Sequence, residues 1–272
     1  PVVIKAFLYF VLAPAASRLA PIRILPDAQA PPLPEPDPSA VSVPIEVGAR
    51  EELLVLANFL QSSSRPARKQ TVWLLNWQIP LSSIASGMYA LTSIRPEGNA
   101  PTRVVVSAQD DPFGEVGIVD IPRGAAMVVQ PRSLAGLVKP AGSSVAINRH
   151  WRLLTLHAWL TLQFRYLAFH GPCRLILTGC RGVRAEEPQA DQARLINHAA
   201  TLGFSANLDY RTTRCETFVA YLRGQEDLFN DLFGGGPGRF VYEEVPSVGR
   251  SGGRTGRRLE GLVDAVLKAF GI

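Results

Sequence analysis

Gly171-Pro172-Cys173-Arg174-Leu175-Ile176-Leu177 returns 65 residues later as Gly236-Pro237-Gly238-Arg239-Phe240-Val241-Tyr242. In each copy a Gly-Pro turn releases the chain into an apolar, β-prone run, which is how a strand begins after a tight corner. Self-similarity at such a spacing signals tandem β subdomains that share one core. The rest of the body agrees with it. Val41, Val43, Ile45 and Val47 alternate, and Val104–Val106, Gly117–Ile121, Met127–Val129 and Leu175–Leu177 are short β-prone runs bounded by turn formers. A further, weaker copy runs from Val47-Gly48 to Phe59-Leu60. It parallels Ile121-Pro122-Arg123-Gly124 to Ser133-Leu134, with Arg194 to Phe204 in the same place in the last unit. Few stretches keep a helical period; Gln192–Asn197 and Gln225–Leu232 are expected as short helices or turns.

The expected organisation is an all-β body over 43–246, preceded by an arm over 1–42 and followed by a tail over 247–272. With 272 residues, 47% of them hydrophobic, the body can bury a core that needs neither disulfide nor metal. Cys173, Cys180 and Cys215 form an odd, sparse set, which fits a reducing compartment better than a disulfide framework. The formal charge of +5 is concentrated at the end, where Arg250, Arg254, Arg257, Arg258 and Lys268 outnumber Glu260 and Asp264. Such a distribution favours a local contact with phosphate or lipid head groups over a body-wide nucleic-acid surface.

Both termini carry apolar elements. Ala6-Phe7-Leu8-Tyr9-Phe10-Val11-Leu12-Ala13 is too short to span a bilayer. It reads as a retained interfacial or docking helix rather than a cleaved signal, the alternative being an element tucked into the protein's own core. The proline-rich stretch Pro21–Pro44 is either a semi-rigid arm or a strap lying flat on the body. In the tail, Leu259, Leu262, Val263, Val266, Leu267 and Phe270 fall at helical spacing behind a Gly/Ser/Arg linker, an amphipathic helix suited to a membrane surface or to its own domain.

Chemical motifs are sparse. His150, His157, His170 and His198 lack the close Cys or His pairs of a zinc site. There is no Gly-x-Ser-x-Gly elbow, and Gly234–Gly238 lacks the Lys-Ser/Thr of a phosphate loop. Cys180 lies beside Arg181 and Arg184, yet reads as a buried structural thiol. Trp73, Trp77, Trp151 and Trp159 sit in apolar stretches and read as core, which removes the aromatic platform that base stacking needs.

Trp151-Arg152-Leu153-Leu154, Phe164-Arg165-Tyr166-Leu167-Ala168-Phe169-His170-Gly171-Pro172, Leu202-Gly203-Phe204-Ser205-Ala206-Asn207-Leu208 and Gly234-Gly235-Gly236-Pro237-Gly238-Arg239 together resemble one family. It is the altered inheritance of mitochondria family, number twenty-four, within the tryptophan RNA-binding attenuator protein-like superfamily. The resemblance implies three tandem short double-stranded β-helix subdomains with approximate threefold symmetry, and a link to inner-membrane organisation in the mitochondrial relatives. It supplies no catalytic residue. The chain departs from the usual Gly-Pro-Gly ending at Gly171-Pro172-Cys173, and its first unit offers only Ser86-Gly87-Met88-Tyr89 in that place.

These readings lead to an expected non-enzymatic scaffold or adaptor, an accessory subunit at the cytoplasmic face of a bacterial inner membrane. Its expected partner is a membrane-protein complex or an anionic lipid surface, and a homo-oligomer is compatible with the sequence. The expected contact residues are Phe7, Tyr9, Phe10, Arg250, Arg254, Arg257, Arg258 and Phe270, with Gly171, Pro172, Gly236 and Pro237 as repeat turns. No catalytic residue, metal or cofactor is expected. The alternatives are a nucleic-acid-binding β module using the basic tail, which is disfavoured, and an enzyme with a site between subdomains.

Overall fold

The computed structural model describes residues 2–18, 21, 23–24, 30–85, 88–130, 133–151, 165–189, 192–234 and 237–246. The chain is all-β, with eighteen strands among the described residues in four antiparallel sheets. They fall into three units of six. Unit one holds β1 Ser42–Val47, β2 Glu51–Val55, β3 Leu60–Ser63, β4 Ala67–Leu74, β5 Tyr89–Pro96 and β6 Thr102–Ser107. Unit two holds β7 Gly114–Ile121, β8 Ala126–Val129, β9 Leu134–Pro140, β10 Ile147–Trp151, β11 Arg165–His170 and β12 Cys173–Cys180. Unit three holds β13 Val183–Glu186, β14 Arg194–Asn197, β15 Thr201–Ser205, β16 Asp209–Arg214, β17 Phe229–Gly234 and β18 Phe240–Glu243.

The pairing is the same in every unit. The sixth strand lies between the first and third, and the fifth between the second and fourth. Even the irregularities repeat. Where the third strand meets the sixth, the register skips one residue, at Gln61, Ala135 and Leu202 in turn, a β-bulge inherited by each copy. This bulge aligns Val47–Leu60 with Ile121–Leu134 and places Arg194–Phe204 alongside them, as the sequence reading has it.

Units join by strand pairing. The second strand of one unit bonds to the third strand of the next, β2 to β9 and β8 to β15, which fuses the half-sheets into two six-stranded sheets and leaves a three-stranded sheet at each end. The close approach needs glycine. A Cβ on Gly136 would lie 2.6 Å from the Leu54 carbonyl oxygen, and one on Gly203 would lie 2.4 Å from that of Val128. The equivalent position on β3 is Ser62, and β3 is an edge strand.

The sheets stack in four layers with three apolar fillings. Leu53 and Val55 of β2 point into the filling shared with β1 and β6, while Leu54 between them points into the next. Leu175 and Leu177 against Ile176, and Met127 and Val129 against Ala126 and Val128, divide in the same way. An inner strand covered on both faces becomes an unbroken apolar run rather than an alternating one. The last filling is aromatic: Phe204 stacks on Tyr210 with centroids 4.8 Å apart, and Phe233 on Phe240 at 4.8 Å.

Two expected helices or turns are strands. Arg194–Asn197 is β14, and Gln225–Leu232 runs into β17, where Phe229, Asp231 and Phe233 all point inward. The buried acid interrupts the apolar alternation, so the strand is disguised in sequence. The described part of the proline-rich stretch is a strap rather than a spacer. Leu33 is buried in the central filling, Ala40 bridges Val116, and the Ser39 hydroxyl donates to Glu115 and accepts from the Val183 amide. The expected amphipathic tail helix, with Arg250, Arg254, Arg257, Arg258 and Phe270, falls outside the described residues, as does Gly236.

Candidate functional site

The apolar N-terminal run is helical: an α-helix over Val2–Phe7, a π-turn over Leu8–Leu12 and an α-helix over Ala13–Ser17. Pro14 has no amide to give, and the Ala13 amide bonds to Leu8, five residues back, which widens the helix locally. The segment docks on unit three through its few polar or small side chains. Lys5 Nζ donates to the carbonyls of Tyr221 and Leu222, at 3.0 Å each, at the C-terminal end of a helix over Phe218–Arg223. There its charge complements the exposed carbonyls. The Tyr9 hydroxyl lies 3.0 Å from the carbonyl oxygens of both Cys215 and Glu216, its ring packs on Phe218 and Tyr221, and the Arg214 guanidinium covers it at 4.9 Å. Ala13 and Ala16 pack on Phe229.

Tyr9 is therefore an anchor and not a contact residue: it is 3% exposed. Phe7 and Phe10 stand differently. With Val2, Val3, Ile4 and Val11 they are more than half exposed, Val3 reaching 81%. The usual arrangement of a surface helix is partly inverted, with the Lys5 ammonium and the Tyr9 hydroxyl turned inward and Val2, Val3, Ile4, Phe7, Phe10 and Val11 turned to solvent.

The repeat turns serve the fold. Gly171 is a corner against β7, where a Cβ would come within 2.2 Å of the carbonyl oxygens of Ile121 and Pro122. Pro172 and Pro237 each lead into a sixth strand, β12 and β18. The counterpart in unit one is not Ser86–Tyr89, since Tyr89 opens the fifth strand; it is Pro101-Thr102-Arg103-Val104, which leads into β6. The shared signal is Pro-x-Arg followed by apolar residues. Each arginine has an acid across from it on or beside the first strand. Arg103 is opposite Glu46, Arg174 is opposite Asp120, and Arg239 Nη2 is 3.7 Å from Glu187. Arg174 also donates to Glu51 at 2.6 Å and to the Glu46 carbonyl at 2.9 Å, tying unit two to unit one.

Arg174, Arg239, Lys139, Glu51, Asp120 and Glu187 meet in a cleft of about 720 Å³ floored by Leu33 of the strap. Its charges largely answer one another. Burial raises the Asp120 carboxyl above its ordinary value, against the pull of Arg174. Burial also pushes the Cys173 thiol up to about 12, leaving it protonated and unreactive at neutral pH. All three cysteines are buried thiols.

Two buried carboxylates are held by networks. Asp231 accepts from the Thr201 hydroxyl at 2.7 Å and the Tyr210 hydroxyl at 2.9 Å, and lies 2.8 Å from His198 Nδ1. Glu52 is bonded by Ser93, Arg95 and Lys139, the last from the facing strand β9. Such networks fix a core. Among the described residues there is no group of three or more His, Cys, Asp or Glu able to hold a metal.

The tryptophans correct the sequence reading. Trp73 is 69% exposed and Trp77 is 73% exposed, with Ile84 and Tyr89 of the same hairpin also more than half exposed. Trp73 is on β4, an edge strand; its neighbour Val72 and the turn residues Leu75, Ile79 and Met88 pack on the central filling, and the indole stays in solvent. Trp159 and the side chain of Trp151 lie outside the described residues.

No family model and no curated protein matches the chain. Among solved structures it is similar to protein SPYM3_0169 from Streptococcus pyogenes, with a TM-score of 0.50 and 10% identity, over 83% of this chain and 94% of that one. That likeness shows a shared all-β fold. No described helix is long and apolar enough to cross a membrane.

Proposed function

We propose that this chain is a non-catalytic adaptor that attaches to the face of a membrane, with the three-unit β body as a rigid platform and the N-terminal helical segment as its contact. The outward-turned apolar face of that segment carries the reading. Six large apolar side chains held in water by a segment that is itself hydrogen-bonded to the body gain free energy only when something else covers them. A lipid interface fits a short helix of this kind, rich in Phe and Val, flat on a surface and too short to span. The resemblance to the altered inheritance of mitochondria family points the same way, and the thrice-repeated pairing order supports it.

Vesicle flotation of the full chain tests the reading. Wild-type protein is expected to float with phospholipid vesicles, and the double substitution Val3→Asp with Phe7→Asp to lower the bound fraction about tenfold or more. Both side chains are exposed, so the melting temperature stays unchanged. Flotation of the double variant equal to that of the wild type would remove the N-terminal contact from consideration.

A further inference from the structure

We propose that the β4–β5 hairpin of unit one is a second lipid contact, separate from the N-terminal segment and selective for anionic head groups. The inference rests on the membrane-surface reading but is carried by other residues. Trp73, Trp77, Ile84 and Tyr89 stand exposed on one strand-turn-strand element, around a short helix over Pro80–Ala85. Indole and phenol rings have an apolar body and a hydrogen-bonding tip, and settle where one side is hydrocarbon and the other is wet.

Charge identifies the surface they meet. From Leu53 to Pro96 the chain holds no Asp or Glu, although it has 23 acids in all, and the same stretch carries Arg65, Arg68, Lys69 and Arg95. Arg95 is committed to Glu52. Arg65, Arg68 and Lys69 are exposed and, among the described residues, none is in an ion pair. Lys69 and Trp73 share one face of β4, about 13 Å apart at the rise of an extended strand. This spacing lets the cation reach phosphate level while the indole enters the interface. Single-stranded nucleic acid also combines stacking with cations, but it needs aromatic faces that line a groove. These indoles are each more than two-thirds exposed, and aliphatic Ile84 of the same hairpin is exposed as well.

The test uses the full chain and two vesicle types, phosphatidylcholine alone and phosphatidylcholine with about one-third phosphatidylserine. Trp73→Ala with Trp77→Ala is expected to weaken binding to anionic vesicles about tenfold. Arg65→Gln, Arg68→Gln and Lys69→Gln together are expected to weaken it by about fivefold per charge, with no change on neutral vesicles. Brominated lipid should quench the wild-type fluorescence more than that of Trp73→Phe with Trp77→Phe, a milder pair that guards against loss of fold. If hairpin variants bind as wild type does while Val3→Asp with Phe7→Asp does not bind, the second contact is refuted and the N-terminal one stands. If the wild type binds neither vesicle, both fall. Tryptophan-dependent, steeply salt-dependent binding to a single-stranded RNA oligomer without vesicle binding would overturn the lipid assignment in favour of nucleic acid.

Discussion

Asp231 is a carboxylate with 1% of its surface exposed, in the middle of an aromatic filling. Burial alone would raise its pKa. The His198 ring and the hydrogen bonds from His198, Thr201 and Tyr210 outweigh burial and hold it below its ordinary value of 3.8. Glu52 behaves alike: burial raises it, bonds from Arg95, Lys139 and Ser93 outweigh that, and it stays below 4.5. A carboxylate whose folded pKa lies below its unfolded one stabilises the fold at pH above the unfolded value, and that stability is lost as pH falls through the folded value. The melting temperature is therefore expected to hold steady from neutral pH down to about 5 and to fall in more acid solution. Asp231→Asn is expected to cost about 3 kcal/mol at pH 7 and to flatten the acid limb, because it leaves the buried network without its charge. Calorimetry across pH checks both; an acid limb as steep in the variant as in the wild type would move the effect to other groups.

At the scale of elements, the third strand decides how units join. β9 and β15 receive a second strand from the preceding unit, at Gly136 and Gly203 after the bulge, where any Cβ would strike backbone. β3 has Ser62 there and receives none. The joint between units one and two is also charged, with Glu52 of β2 opposite Lys139 of β9 at 2.7 Å. Gly203→Ala is expected to cost roughly 3 kcal/mol, since backbone and not a flexible side chain must give way. Ser62→Ala, at the equivalent position without a partner strand, is expected to change stability by less than about 0.5 kcal/mol. Urea titration of the two variants gives the comparison, and a Gly203→Ala cost as small as that of Ser62→Ala would mean that the joint admits a Cβ.

Across the whole molecule, each inner sheet belongs to two units and its inner strands are buried on both faces, so no unit owns a complete core. Separate unfolding of one unit would expose the face of a neighbour, and a single cooperative transition is expected. A chain ending at Cys180 would uncover Met127 and Val129 of β8 along the edge that β15 covers, together with Ala126, Val128, Tyr166 and Ala168 beneath the lost end layer. It is expected to be insoluble or to melt at least about 10 °C lower, by the loss of several kcal/mol of burial. A soluble truncated chain with wild-type melting would show the units to be independent. The two exposed apolar regions sit on different parts of the molecule, one on the N-terminal segment docked on unit three and one on the hairpin of unit one.

How much of this was legible in the sequence depends on how local the cause is. Runs such as Leu175-Ile176-Leu177 announce strands because β-branched and aliphatic side chains favour an extended, covered backbone whatever surrounds it. The Gly-Pro echo announces the repeat because a corner that tight admits little else. The counterpart at Pro101-Thr102-Arg103 escaped because it lacks the preceding glycine; the Pro-x-Arg spacing was the usable signal. β17 escaped because Asp231 is an inward residue whose partners come from β14 to β16, far along the chain. Trp73 and Trp77 show the remaining limit. Their neighbours Val72, Leu74 and Leu75 are apolar, as in any core strand, and only the tertiary structure decides that Val72, Leu75 and Ile79 enter the central filling while the two indoles stay in solvent. Local sequence determined which segments are strands and how often the pattern repeats, since those follow from short-range sterics and burial preference. Which apolar residues stay in water was decided by the packing, because burial is a property of what lies opposite a side chain and not of the residues beside it.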